Sequence, residues 1–155
     1  MKESIKKKIT YRAFVFDDES VIREMIWSLL DARSYEVFTF PHPGLCPQFE
    51  MNACPCVLNN PCTDIILSDL NMPVSKGLDF IKAQIKKGCQ CKNIAIMSGY
   101  WTEDEMSKAK SIGCKIFIKP FKIKVLIQWL DEVEARIEPN RKLSNWWKED
   151  YKKEE

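Results

Sequence analysis

Four short apolar runs decide what this chain can fold into: "YRAFVF" (11–16), "DIILS" (64–68), "NIAIM" (93–97) and "KIFI" (115–118). Each has strand length, is rich in Val, Ile and Phe, and is continuous rather than alternating. That is the pattern of parallel strands covered on both faces. A fifth run, "YEVFTF" (35–40), is similar but more polar. Between the runs the spacing turns helical. Residues 20–33 place Val21, Met25, Leu29 and Ile22, Ile26, Leu30 on one broad face. Residues 102–111 open with Thr102 and Glu105 in the capping-box arrangement, and residues 122–138 carry Val125, Leu126, Trp129, Leu130 and Val133 before Pro139. Alternating strand and helix predicts an α/β chain with a five-stranded, doubly wound parallel sheet.

One crossover breaks the pattern. Where a second helix is due, residues 41–63 read "PHPGLCPQFEMNACPCVLNNPCT", with five prolines. Proline removes a backbone donor and clashes with the preceding turn, so this stretch is expected to be a largely irregular Cys/Pro-rich loop with at most one short helical turn.

With 155 residues the chain has room for one core, and 45% hydrophobic with 30% charged residues is ordinary globular composition. The 24 Lys and Arg against 22 Asp and Glu leave +2, too little for binding driven by phosphate contacts across the surface. Nucleic acid is therefore not an expected partner. No stretch approaches the roughly 18 apolar residues of a membrane span, and the basic segment 1–10 lacks the apolar part of a signal peptide. A cytoplasmic protein is expected, with no membrane partner.

The strand ends carry the chemistry. The run ending at Phe16 is followed by Asp17 and Asp18, the second by Asp69, the third by Ser98 and the fourth by Lys119. In an open parallel sheet ligands bind outside the carboxyl ends of the strands, so these residues converge on one cleft. Three carboxylates there repel one another unless a cation compensates. Magnesium suits them, since it takes one or two carboxylates and completes its shell with water and phosphate oxygen. An ammonium, a hydroxyl and one carboxylate free to attack make a site for in-line phosphoryl transfer to a carboxylate.

"FVFDDES", "IILSDLNMP" followed by Gly77, "IAIMSGY" and "FIKPF" together resemble the signature blocks of the response regulator receiver domain, in order from Tyr11 to about Glu138. The resemblance implies the flavodoxin-like receiver fold over residues 11–138. It implies an aspartyl phosphate on Asp69, formed from the phosphohistidine of a sensor histidine kinase or a histidine phosphotransfer protein. Asp17 and Asp18 become the acidic pair that holds magnesium with Asp69, and Asn71 a ligand through its backbone carbonyl. Ser98 becomes the hydroxyl that meets the phosphoryl group, and Lys119 its cationic partner. In the family the Lys-Pro bond, here Lys119 to Pro120, is often cis. The chain reads as a stand-alone switch acting on a downstream protein, with no chemistry beyond self-phosphorylation and autodephosphorylation. It departs from the family at Ile116, where an aromatic switch residue is usual, in the short turn "GCK", and in the cysteine segment.

Seven cysteines is a high and odd count. His42, Cys46, Cys54, Cys56 and Cys62 lie within 21 positions and could supply a second metal site, for zinc or an iron-sulfur centre. The alternative is a set of reduced thiols, with His42 a surface residue between two prolines. Two rival readings follow: a receiver-like interaction module sensing metal or redox state through this segment, and a haloacid dehalogenase-like phosphatase. The phosphatase normally wants a second Asp two residues after its nucleophile, where this chain has Asn71. Trp101 sits near the region that receiver domains use for partners, or packs on the adjacent helix. Residues 139–155 are expected to be a short tail, with a helix around Trp146 and Trp147.

Overall fold

A computed structural model of the protein describes residues 9–46, 54, 56 and 60–144. The first eight residues of the basic segment and the expected tail helix with Trp146 and Trp147 lie outside the described residues. Five strands, β1 (Tyr11–Phe16), β2 (Tyr35–Phe40), β3 (Ile65–Asp69), β4 (Asn93–Ser98) and β5 (Lys115–Ile118), form one sheet in the order β2-β1-β3-β4-β5. All four pairings are parallel, with Ala13 beside Ile65, Ile65 beside Asn93, and Ala95 beside Lys115. The strands therefore end together, and Asp17, Asp69, Ser98 and Lys119 emerge on one edge, as the continuous apolar runs require.

Helices α1 (Ser20–Ala32) and α4 (Ile123–Arg136) cover one face. There Ile26, Leu30, Leu126, Trp129, Leu130 and Val133 pack on Ala13, Val15, Ile65, Leu67, Ala95 and Met97. The broad apolar stripe expected of α1 is narrower in fact. Ile26 and Leu30 are buried, whereas Val21 is 72% exposed, and Val125 of α4 is likewise turned to solvent. Both valines lie in the first turns, beyond the arc that the sheet can cover.

The other face is covered by α2 (Gly77–Lys86), α3 (Glu103–Ser111) and the Cys/Pro-rich segment. Thr102 and Glu105 form the expected capping box in both directions. Helix α2 was not delimited by the sequence pattern, because it opens on Gly77, which reads as a turn residue, and carries its apolar side chains on a short face. Among the described residues of the segment the only regular element is a single 3₁₀ turn, Pro43–Leu45. Cys46, Cys54 and Cys62 nevertheless join the core with Phe14, Ile66, Ile81 and Ile94, so these three side chains cover part of the surface that a helix would cover.

At the opposite end of the sheet from the polar edge, residues 141–144 dock against the starts of β1 and β3. Arg141 pairs with both oxygens of the buried Asp64 at 2.9 and 2.6 Å, and Ser144 N–H donates to the carbonyl of Pro61. Arg12 of β1 donates to the carbonyls of Cys62 and Ser144. No helix among the described residues is long and apolar enough to cross a membrane.

Candidate phosphoacceptor cleft and thiol cluster

Asp17, Asp18 and Asp69 meet at the carboxyl edge, with a carboxylate oxygen of each within 4.8 Å of the others. Asp17 is fully buried, Asp69 nearly so, and Asp18 is exposed. Asp17 is held by its own loop: the Glu19 N–H donates to its Oδ1 at 2.9 Å, and Arg23 Nη1 donates to its carbonyl at 2.7 Å. Lys119 reaches across from the end of β5, donating to Asp17 Oδ2 at 2.7 Å and lying 3.5 Å from Asp69 Oδ1. The Lys119–Pro120 bond is cis.

The electrostatics follow from this crowding. Burial, then the neighbouring Asp17 charge, pushes the Asp69 carboxyl up to about 6, and Lys119 only partly opposes them. Burial works against the charge of Lys119, but its hydrogen bond to Asp17 and the fields of Asp17, Asp69 and Glu19 outweigh it and raise its pKa. The cleft holds more negative charge than one ammonium neutralises.

Ser98 ends β4 with its hydroxyl donating to the carbonyl of Tyr100 at 2.8 Å and accepting the Tyr100 N–H. The Asn71 side chain reaches the same hydroxyl at 3.4 Å. Residues 70–77 close on themselves through the Gly77 N–H to the Leu70 carbonyl and a bridge between Asn71 and Lys76. Gly77 is required there, since a Cβ would stand 2.1 Å from the carbonyl oxygen of Asp69. Trp101 is half-buried, donates from its indole to the carbonyl of Phe117 at 3.1 Å and packs against the core cluster of this face. Ile116 occupies the place of the usual aromatic residue and packs, partly buried, against the same core cluster as Trp101.

The thiols group differently from the set expected on the sequence. Cys54, Cys56, Cys62 and Cys89 bring their sulfurs within 4.8 Å of one another. His42 and Cys46 stand outside this group, and Cys89 comes from the turn after α2. Cys54 Sγ lies 3.5 Å from Cys56 Sγ and 3.9 Å from Cys62 Sγ. The thiol of Cys54, then those of Cys62 and Cys89, pulls Cys56 below the usual thiol range, while Cys54 and Cys62 are pushed above it. Cys114 is buried apart from the cluster.

A family model described as the response regulator receiver domain matches residues 13–131. The phosphate regulon transcriptional regulatory protein PhoB of Klebsiella pneumoniae is 28% identical over 131 residues, which cover 83% of this chain and 53% of that protein. The chain thus spans about half the length of the curated relatives it matches. Among solved structures, the chemotaxis response regulator CheY4 of Vibrio cholerae superposes with a TM-score of 0.60 at 26% identity, covering 80% of this chain and 98% of that one. A response regulator from Thermotoga maritima superposes at 0.63 with 16% identity, covering 82% and 99%, and shows the shared fold alone.

Proposed function

Because the chain belongs to the response regulator receiver domain family, we propose that it is a magnesium-dependent phosphoacceptor switch modified on Asp69. The observation that carries this reading is the meeting of three carboxylates with one ammonium, Lys119, at 2.7 and 3.5 Å from Asp17 and Asp69. The donor set fits magnesium: three hard carboxylate oxygens within 4.8 Å of one another, close to the about 4.2 Å diagonal of an octahedron with ~2.1 Å bonds. Asp17, Asp18, Asp69 and the backbone carbonyl of Asn71 would hold the ion, which supplies charge neutralisation and polarises the phosphoryl oxygens.

The chain's own groups do the rest. A buried carboxyl raised to about 6 is an adequate nucleophile at neutral pH, where it is mostly ionised. Asp69 attacks phosphorus in line with the leaving group. A phosphorus–oxygen bond forms, the donor's phosphorus–nitrogen bond breaks, and its electron pair stays with the leaving imidazole, which takes up a proton. Lys119 follows the transferred charge, and Ser98, released from the Tyr100 carbonyl, donates to a phosphoryl oxygen. Water later attacks the phosphorus and returns the carboxylate. The donor is a histidine kinase or histidine phosphotransfer protein, which places the action in the cytoplasm, and the listener is a downstream protein that reads residues 11–138.

The thiol cluster favours a second reading, a receiver-like module that reports metal or redox state through its crossover. A mass spectrum of the protein with magnesium, before and after acetyl phosphate, separates the two. The phosphoacceptor reading expects a gain of one phosphoryl mass that disappears in Asp69→Asn. Labelling that persists in that variant, or none in the wild type, sinks it.

A further inference from the structure

We propose that Cys54, Cys56, Cys62 and Cys89 hold a single zinc ion in a closed tetrathiolate site, which staples the helix-breaking crossover to the end of α2. This goes beyond the phosphoacceptor reading and does not depend on it.

Geometry selects one ion. Zinc–thiolate bonds of about 2.3 Å in a tetrahedron put the sulfurs about 3.8 Å apart along each edge. The contacts of Cys54 with Cys56 and Cys62, 3.5 and 3.9 Å, bracket that edge, and all four sulfurs fall within 4.8 Å of one another. The enclosed space takes one metal ion and leaves none for a multi-iron cluster with bridging sulfides. Four soft donors exclude magnesium, and zinc binds such a set more tightly than ferrous iron. Four protein ligands leave no open position, so the site is structural.

The backbone treats Cys56 as an anion. The N–H groups of Cys62 and Gln90 both donate to its sulfur at 3.2 Å. Two amides directed at one sulfur are the outer-shell support that a metal-bound thiolate needs. Zinc with four thiolates carries a net charge of about −2, which these amides partly offset.

Three of the four ligands, Cys54, Cys62 and Cys89, are held by backbone contacts that do not depend on an ion. Cys54 N–H donates to the Lys87 carbonyl at 2.9 Å, and Cys89 N–H to the Gln84 carbonyl at 2.9 Å. Gly88 makes the turn between them and α2 with a φ of +96°, which favours glycine. Arg12 Nη1 holds the Cys62 carbonyl at 3.0 Å from β1. The need for a staple is equally plain. A segment with five prolines helps to cover Phe14, Ile66 and Ile94, and among its described residues the only helical element is the single turn Pro43–Leu45. A disulfide would engage only two of the four sulfurs, and all seven cysteines are free.

The test is metal content of the full chain, expressed with zinc supplied and purified without chelator, measured by elemental analysis and native mass spectrometry. One zinc per chain is expected, retained in His42→Ala, Cys46→Ser and Cys114→Ser and lost in Cys56→Ser. Should Cys56→Ser not fold, the wild type suffices: stripping the metal with a mercurial and chelator, then adding cobalt, should give thiolate charge-transfer and tetrahedral ligand-field absorption. A metal-free chain with free thiols, stoichiometric iron, a mass lowered by disulfide formation, or zinc lost in His42→Ala would each overturn the proposal. Labelling of Asp69 is read by a separate mass shift, so a zinc-loaded chain that takes no phosphoryl group counts against the switch alone.

Discussion

The ammonium of Lys119 sits closer to Asp17, at 2.7 Å, than to Asp69, at 3.5 Å, so the side chain expected to serve the phosphoryl group is engaged first by Asp17. Its removal acts on two quantities in opposite directions. In Lys119→Met the carboxylates lose their nearest cation, and magnesium should bind several-fold more tightly. The rate of phosphorylation by a small donor should nevertheless fall by about 10²-fold, the usual cost of losing one transition-state charge partner. Magnesium titration followed by a binding-sensitive probe, with labelling rates on the same protein, reads both. Weaker magnesium binding in the variant would show that Lys119 does not compete with the ion.

Gly77→Ala tests the packing under the phosphoacceptor. An alanine at this helix position gains up to about 1 kcal/mol in propensity. Its Cβ, however, would meet the Asp69 carbonyl at 2.1 Å, and overpacking of this kind costs about 1–3 kcal/mol. Net destabilisation in urea melts is expected, together with slower Asp69 labelling because the backbone carrying the nucleophile must move. A variant as stable and as quickly labelled as wild type would contradict the close approach.

Arg141→Ala leaves the Asp64 carboxylate buried, with the Arg12 N–H at 2.9 Å as its remaining hydrogen-bond partner among the described residues. Breaking a buried pair from one side costs several kcal/mol; since Arg141 keeps some solvent contact, about 2 kcal/mol is expected. Glu138→Ala, nearby and exposed, should be within about 0.5 kcal/mol of wild type. Denaturant midpoints of the two variants decide the matter.

Burial pushes the Cys114 thiol up to about 11, from an ordinary 9.0. The folded state therefore holds this proton more tightly than the unfolded chain does. The stability that Cys114 contributes is fully present below the ordinary value and is lost as pH rises from about 9 to about 11. At pH 8 its alkylation by iodoacetamide should be slow in the native protein and fast in urea, as read by peptide mass mapping. Rapid native alkylation would mean that the site opens locally.

The residues of the polar edge were legible because a parallel sheet translates order along the chain into position. A polar residue that follows a continuous apolar run has one place to go, so Asp17, Asp69 and Lys119 come together at the strand ends, while Ser98, on the same edge, bonds to the Tyr100 carbonyl. The thiol cluster was only partly legible, for the opposite reason. Cys54, Cys56 and Cys62 share a segment, but Cys89 joins them only because β3 and α2 bring the chain out and back by matching lengths. Proximity in sequence put His42 and Cys46 in the wrong company: the chain leaves β2 at the cleft edge and must travel the length of the sheet before Cys62. The outward turn of Val21 and Val125 escaped because periodicity gives the direction of a helix face and not the width of what covers it.

Strand β3 links Cys62, three residues before its start, to Asp69 at its end. Five residues at about 3.3 Å each separate soft sulfur donors at one pole from hard oxygen donors at the other by more than the ~10 Å over which substitutions usually couple. Damage at the sulfur pole and at the oxygen pole should therefore add rather than compound, leaving the durability of the scaffold and the tempo of the signal as separate traits, open to separate tuning.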